Sequence, residues 1–495
     1  MPVFDRASST PSSASSAASP PVPSAGPPPG PGSGRAAGVR PVFVLLAAGA
    51  GAFAMLQSLI SPVLPTIQQD LHTTQAGVSW VLIAWLLSAS VATPILGRLA
   101  DMVGKDKALL VVLAAIAAGS LVSALAPNLG VMVAGRVIQG LGGAVYPVAF
   151  GILRDEYPPE RVPSAVGAMS SVIAVGGGLG TVLAGPITGG LGWRWLFWIP
   201  MAAVLVIAAL CRRYVPASPV RTGGRIDWPA AALLSVWLLA LLLPVSQGQA
   251  WGWGSPLTVA LLAAAALAFA AWVRRESRSA NPVIDMAMMR RPAVWTTNAV
   301  ALLFGAAMFA TLTFLPQLVE TPSSAGYGFG ASVTVAGLVI LPMLATMAVG
   351  GMISGPLHRT VPFRAQLAWG SALLAAACLG FAFLHDAAWQ IALAGAVFGL
   401  GLGLAYSAMT SLIVHAVPPA QTGAATGMNT NIRNIGGALG TAVVTALVTG
   451  TVGAGGLPSA GGYETGFTVL AATATAGVLF SLLIPGPRRS RPADR

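Results

Sequence analysis

The chain has 495 residues, 55% of them apolar and only 8% charged, with a mean hydropathy of +0.77. Soluble domains carry about 25% charged residues, so the composition excludes an ordinary soluble protein and points to a polytopic membrane protein. The formal net charge of +12 does not imply nucleic acid, because the basic residues sit in short loops between apolar spans. The two cysteines, Cys211 and Cys378, offer neither a disulfide framework nor metal-ligand spacing.

Residues 1–40 are Ser, Ala, Pro and Gly with three arginines and one aspartate. They cannot bury a core and are expected to form a disordered cytoplasmic tail. They lack the basic-then-apolar order of a secretory signal, so the first apolar run reads as a retained helix. A membrane helix needs roughly 20 apolar residues. On that rule the first six spans fall at 42–65, 77–100, 108–126, 130–153, 164–191 and 195–211. Two more follow at 228–246 and 256–273, and the last six at 293–316, 333–356, 365–384, 389–413, 424–450 and 465–485. The fold class is therefore all-α, with fourteen transmembrane helices. The organisation reads as a tail (1–40), a six-helix half (41–213), two central extra helices with their loops (214–291), a second six-helix half (292–486) and a basic cytoplasmic tail (487–495). An even number of spans puts both termini on one side. If that side is the cytoplasm, the outer loops keep only Arg194, against Asp70, Glu320, Asp386 and Glu464. This is a strong positive-inside asymmetry.

The two halves are copies. Pro158 to Thr181 returns as Pro418 to Thr441, with nine of 24 positions identical, among them Gly167/Gly427, Gly176/Gly436 and Gly180/Gly440. The same offset carries Tyr146 onto Tyr406, Gly143 onto Gly403 and Gly135 onto Gly395. In membrane proteins, related halves usually mean a transporter with its binding site between them.

Between the second and third spans runs GRLADMVGKDKALL, Gly97 to Leu110. Gly97 and Gly104 permit a tight turn, and Arg98, Lys105 and Lys107 surround the Asp101 carboxylate. The segment resembles the signature loop of the major facilitator superfamily, G-x-L-A-D-R-x-G-R-K-x-x-L. That resemblance implies a gating loop that holds the cytoplasmic side closed in one state. Met102 stands where arginine is usual, and Asp106 shifts the basic pair. In the fourth span Arg136, Gln139 and Gly140 share one helix face and resemble the family's R-x-x-Q-G motif. An intramembrane arginine must face protein or a wet cavity, so Arg136 either serves transport or caps carbonyls of a neighbouring helix. AGPITGG, with Gly185, Pro186, Gly189 and Gly190, resembles the G-P-x-x-G-G antiporter motif. Its proline is expected to bend the helix, and its glycines to admit close helix packing.

The thirteenth span carries Asn429, Asn431, Arg433 and Asn434; Arg433 lies roughly 15 Å deep at 1.5 Å per residue. Its counterpart in the first copy is the apolar Ile173. Polarity at that depth breaks the repeat and points to a cavity. GMNTNIRNIGGALG resembles the matching segment of the fourteen-helix drug/proton antiporters. The expected cavity wall is Gln57, Tyr146, Phe304, Met308, Tyr406, Asn429 and Arg433.

Exporters of that branch commonly carry an acid in the first helix, but none lies between Phe43 and Pro65. The carboxylates near span ends, Asp70, Asp101 and Glu320, are the remaining candidate proton sites. No GxxxxGK[ST], HExxH or GxSxG motif occurs, so a gradient must supply the energy and an enzyme is not expected. The reading is a plasma-membrane exporter of amphipathic drugs or a self-made metabolite. It would work as a monomer by alternating access, with proton antiport and no metal or cofactor. Two alternatives stand beside it: an importer or uniporter of a small metabolite, and an exporter of an anionic compound held by Arg136 and Arg433.

Overall fold

The computed structural model describes residues 34–218, 225–279, 281–450 and 458–485. The tail expected to be disordered lies outside these up to residue 33, and the basic tail 487–495 lies outside them entirely. Among the described residues, fourteen helical spans are long and apolar enough to cross a membrane. The first half comprises α1 (Arg40–Asp70), α2 (Gly77–Val103), α3 (Lys105–Ala124), α4 (Leu129–Glu156), α5 (Val162–Leu191) and α6 (Trp195–Tyr214). The extra pair is α7 (Trp228–Trp251) and α8 (Pro256–Glu276). The second half comprises α9 (Pro292–Glu320), α10 (Val335–Leu357), α11 (Phe363–Phe383), α12 (Ala388–Ala416), α13 (Pro419–Thr449) and α14 (Ala460–Leu482).

Two spans that the apolar pattern presents as single helices are broken. In α1 a helix over Gly34–Leu59 gives way to a 3₁₀ turn, Ser61–Val63, and a short helix, Leu64–Asp70. Pro62 and Pro65 remove two backbone donors there. That first helix also starts within the segment expected to be disordered. In α4 a 3₁₀ turn over Leu141–Ala144 separates Leu129–Gly140 from Val145–Glu156. Gly142 is the tight point: a Cβ there would lie 2.5 Å from the Phe53 ring, so α1 and α4 can meet only at a glycine.

Each half has its own apolar core. One gathers Phe53, Ile116, Phe150 and Met169 from α1, α3, α4 and α5; the other gathers Phe304, Phe381, Phe398 and Phe467 from α9, α11, α12 and α14. A third cluster joins α7 to Ile83 and Leu87 of α2 and to Met428 and Ile435 of α13. The extra pair therefore packs across the seam between the halves.

The halves meet chiefly through two helix pairs, α2 with α13 and α5 with α10. Glycine sets the distance in both. A Cβ on Gly97 would lie 2.7 Å from the Gly423 carbonyl oxygen, and one on Gly167 would lie 2.7 Å from that of Gly351. Both approaches belong to the arginine-rich face. Toward the opposite face the helices part: a Cβ on Gly337 would clear Val182 by 3.9 Å, and Gly185, Gly189 and Gly190 meet nothing within 4 Å.

The extra pair is pinned at its arginine-rich end. Asp227 accepts hydrogen bonds from Arg275 Nε (3.0 Å), Arg275 Nη2 (2.9 Å) and Ser279 Oγ (3.1 Å), and caps α7 through the Ala230 N–H. Beneath it the buried Glu276 accepts from Trp272 Nε1 (3.2 Å) and the Val283 N–H (3.0 Å), folding the chain back toward α9. The bond from Arg275 holds Asp227 below the usual carboxylate range. A depressed folded-state pKa gives stability that is present above the unfolded value, about 3.9, and lost as pH falls through the lower folded value. Acidification should thus loosen the α7–α8 end, read by tryptophan fluorescence of purified protein. Asp227→Asn, which lacks the charge at every pH, should show the loosened signal already at neutral pH and no acid-side step; an unchanged step in the variant would show that another group carries it.

Candidate functional site

The loop after α2 is shaped by Gly104, whose φ of 113° is one that L side chains rarely adopt. The loop delivers Asp101, 1% exposed, to the other half of the molecule. Asp101 Oδ2 accepts the Ala424 N–H at 3.2 Å, and the Gly423 N–H is also directed at the carboxylate. Both residues lie in the first turn of the helix Thr422–Thr449, where backbone donors have no intrahelical partner. One turn of chain away, Arg154 Nη1 of α4 donates to Thr422 Oγ1 at 2.7 Å.

The basic residues predicted to surround Asp101 take separate places. Lys105 Nζ pairs with Asp155 Oδ2 at 2.6 Å, with side chains 1% and 3% exposed, which ties the start of α3 to the end of α4. Lys107 is exposed. Arg98 lines a cavity of about 350 Å³ on the arginine-rich face with Asp285, Met288, Gln421 and Ala424. Asp106, the residue that departs from the loop pattern, accepts the Ser218 N–H at 3.1 Å.

Arg136 is fully buried inside the first half. Its Nε donates to the Val81 carbonyl of α2 at 2.9 Å, its Nη1 donates to Gln139 Oε1, and Gln139 Nε2 passes the chain on to Ser120 Oγ of α3 at 2.7 Å. The guanidinium also lies over the Trp85 ring, 5.5 Å from its centroid. Gly140 lets α4 approach Trp85 and Ser88 of α2. Gly185, Pro186, Gly189 and Gly190 are exposed at the far end of α5, and the helix runs through the proline. The close packing expected of these glycines is not made here, because the halves have already diverged at that level.

Mid-span, the two halves present matching aromatic pairs. Phe53 meets Tyr146 edge-on at 5.5 Å, and Phe304 meets Tyr406 at 6.3 Å. Phe53 and Phe304 occupy equivalent places in the repeat at an offset of 251 residues, which also carries Pro65 onto Pro316 and Gln57 onto Met308. Gln57 and Met308 are half-buried. Arg433, 4% exposed, stacks its guanidinium on Tyr406 at 4.5 Å, and Tyr146 of the other half lies within electrostatic reach of both. Nε of Arg433 has no protein partner, and no ion pair includes it among the described residues. A buried cation costs several kcal/mol after relaxation, whereas a desolvated cation–π contact returns about 2 kcal/mol. The stack alone does not offset the burial. One turn toward the arginine-rich face, Asn429 Nδ2 donates to Asn298 Oδ1 at 2.8 Å.

Asp70 and Glu320 are far from this centre. Asp70 Oδ2 accepts from Trp193 Nε1 (2.9 Å) and Arg194 Nη1 (2.8 Å) within the first half, whereas Glu320 ends α9 half-buried. Phe53 and Trp85 belong to the centre but escape the sequence reading. The repeat could have found Phe53, had the first helix of each half been aligned on Leu64-Pro65 and Leu315-Pro316.

The profile of the Major Facilitator Superfamily matches residues 46–441. The chain belongs to that family. It is 31% identical over 388 residues to the tetracenomycin C resistance and export protein of Streptomyces glaucescens, covering 77% of this chain and 71% of that protein. It is 29% identical over 389 residues to the multidrug resistance protein Stp of Mycobacterium tuberculosis (77% and 71%), and 28% identical over 315 residues to multidrug resistance protein 3 of Bacillus subtilis (63% and 60%). Two solved structures share the facilitator fold. The human organic anion transporter MFSD10 has a TM-score of 0.65 at 16% identity, covering 90% of this chain and 99% of its own. The proton:xylose symporter XylE has a TM-score of 0.65 at 12% identity, covering 91% and 97%. The chain is thus a multi-pass membrane transporter of the superfamily rather than an enzyme.

Two substitutions probe the packing that supports this site. Lys105→Met leaves Asp155 charged and buried, which typically costs about 3–5 kcal/mol. A clear drop in melting temperature is expected in detergent, with most of it recovered in Lys105→Met/Asp155→Leu. Asn431 is fully buried with neither amide atom bonded, one turn from Gly427, which abuts Thr93 and Pro94 of α2. The same register brings it level with Ser90 Oγ, also buried and unbonded. Asn431→Leu should therefore remove a penalty of roughly 1–3 kcal/mol, raising the melting temperature and slowing turnover. A fall in melting temperature would mean that the amide is bonded.

Proposed function

We propose that this protein is a secondary exporter of small amphipathic compounds, working as a monomer in the plasma membrane by alternating access. Both termini and the arginine-rich face lie in the cytoplasm, in keeping with the charge asymmetry of the loops. The observation that carries the reading is the unequal contact between the halves. Asp101 and Arg154 reach across to the start of α13 on the arginine-rich face, while the antiporter-motif glycines at the far end of α5 meet only open space. This is the contact pattern of a transporter closed toward the cytoplasm. In the opposite state the cross-half bonds part and Gly185, Gly189 and Gly190 accept a neighbouring helix. The names of the relatives, which include drug resistance and antibiotic export, support outward transport.

Proton antiport is the proposed coupling, with Asp101 as the first candidate group. It is the carboxylate that joins the halves, and a proton on it would remove the negative charge that the α13 N-terminus holds. Asp70 is bonded within a single half, so its protonation would not by itself separate them.

The test is efflux of a fluorescent dye into inverted vesicles under an imposed proton gradient. Wild type should accumulate dye, and Asp101→Asn should lose at least about tenfold in rate, whereas Asp70→Asn should retain most of it. Gradient-independent movement in both would leave an exporter without proton coupling. Uptake by whole cells in place of efflux would overturn the direction.

A further inference from the structure

Among the buried cations, Arg433 is set apart by its partners. Lys105 has Asp155, and Arg136, although its Nη2 is unbonded, has a carbonyl and an amide of its own half. Arg433 has the face of a tyrosine and, on Nε, nothing. It sits at the middle of α13, at the level where Phe53, Tyr146, Phe304 and Tyr406 converge from four helices and both halves. No carboxylate lies at that depth in any span: the acidic residues of the spans are confined to their ends, at Asp70, Asp101, Asp106, Asp155, Glu156, Glu276, Glu320 and Glu464. A buried guanidinium with an unbonded Nε, framed by aromatic rings, suits a ligand that brings both missing parts. It would carry an anionic oxygen for Nε and a flat ring for the tyrosines and phenylalanines. A cationic compound would meet the same charge without a shielding acid.

Building on the exporter reading above, we propose that the transported compounds are aromatic organic anions, carboxylates or phenolates, whose charge is held by Arg433 and whose ring lies between Tyr146 and Tyr406. The repeat explains why the site has one sign and one orientation. The aromatic pairs are duplicated in the two halves, whereas the cation is not, because Ile173 occupies the equivalent place in the first half. The anionic end of the ligand is thereby directed to the second half, and Tyr146 closes on it from the first.

The experiment uses purified full-length protein and two dyes with the same xanthene ring, anionic fluorescein and a cationic rhodamine. Binding is read by fluorescence anisotropy, and transport is read separately in proteoliposomes. Wild type should bind fluorescein. Arg433→Gln should weaken that binding at least about tenfold and leave rhodamine binding unchanged or stronger, while Arg433→Lys, which keeps the charge but loses the planar stack on Tyr406 and the Nε donor, should fall between wild type and Arg433→Gln. A melting temperature of Arg433→Gln close to that of wild type checks that its loss is not general unfolding. Equal loss for both dyes, or no fluorescein binding by wild type, would sink the proposal. Full displacement of fluorescein by chloride at a concentration matched to the dye would make this an inorganic-anion site instead. Fluorescein that is bound through Arg433 but never moved would overturn the exporter reading and leave the anion site standing.

Discussion

Asp101 belongs to one half of the chain, and the N–H groups that bind it belong to the other, 323 residues further on. The first turn of a helix leaves its backbone donors without intrahelical partners and carries a partial positive charge, so a carboxylate delivered there is both a cap and a counter-charge. The delivery depends on backbone proximity, which in turn depends on the absence of side chains at Gly97 and Gly423. Around this contact the other features of the arginine-rich face fall into place. Arg154 reaches Thr422, Lys105 is drawn to Asp155 rather than to Asp101, and Arg98 is left to line the cavity beside the loop. Take away the close approach and neither the carboxylate nor the arginine can reach α13.

The extra pair, α7 and α8, extends the same seam. It adds no copy of any repeated element, yet α7 packs on α2 and α13 together. These are the two helices that carry the Asp101 contact. Under the proposed alternating access, a hairpin resting on both sides of the joint would slide on at least one of them, and its apolar contacts permit that, since they have no directional bonds to break. Its polar fastening, Asp227 with Arg275 and Glu276 with Val283, stays within the hairpin and the segment that follows it.

Much of this architecture is legible in the sequence. The fourteen spans follow from hydropathy, the two halves from the register of Pro158 and Pro418, and the family from the loop at Gly97 to Leu110. What escapes is partnership. Nothing in the spacing says that Lys105 would leave Asp101 for Asp155, because the choice is made by α4, fifty residues away. Arg136 could be read as a cavity residue or as a cap, and spacing does not say that its Nε reaches the Val81 carbonyl of α2. The breaks in α1 and α4 are hidden because apolar residues continue through them, although Pro62, Pro65 and the Gly142-Gly143 pair mark the places. The glycines of the antiporter motif are legible as a motif, but whether they touch a neighbour depends on how far the halves have parted at that level.

The mid-membrane asymmetry between Ile173 and Arg433 has an electrical side. A carrier whose core holds a fixed positive charge and no carboxylate moves a different net charge from one whose core acid binds and releases a proton. When the cargo is itself an anion, its passage out of a cell with a negative interior runs with the field. One elementary charge crossing 100 mV is worth about 2.3 kcal/mol, roughly a 50-fold concentration ratio. Arg433, which the repeat does not duplicate, would then make the membrane potential, alongside any ion gradient, part of what drives the compound outward.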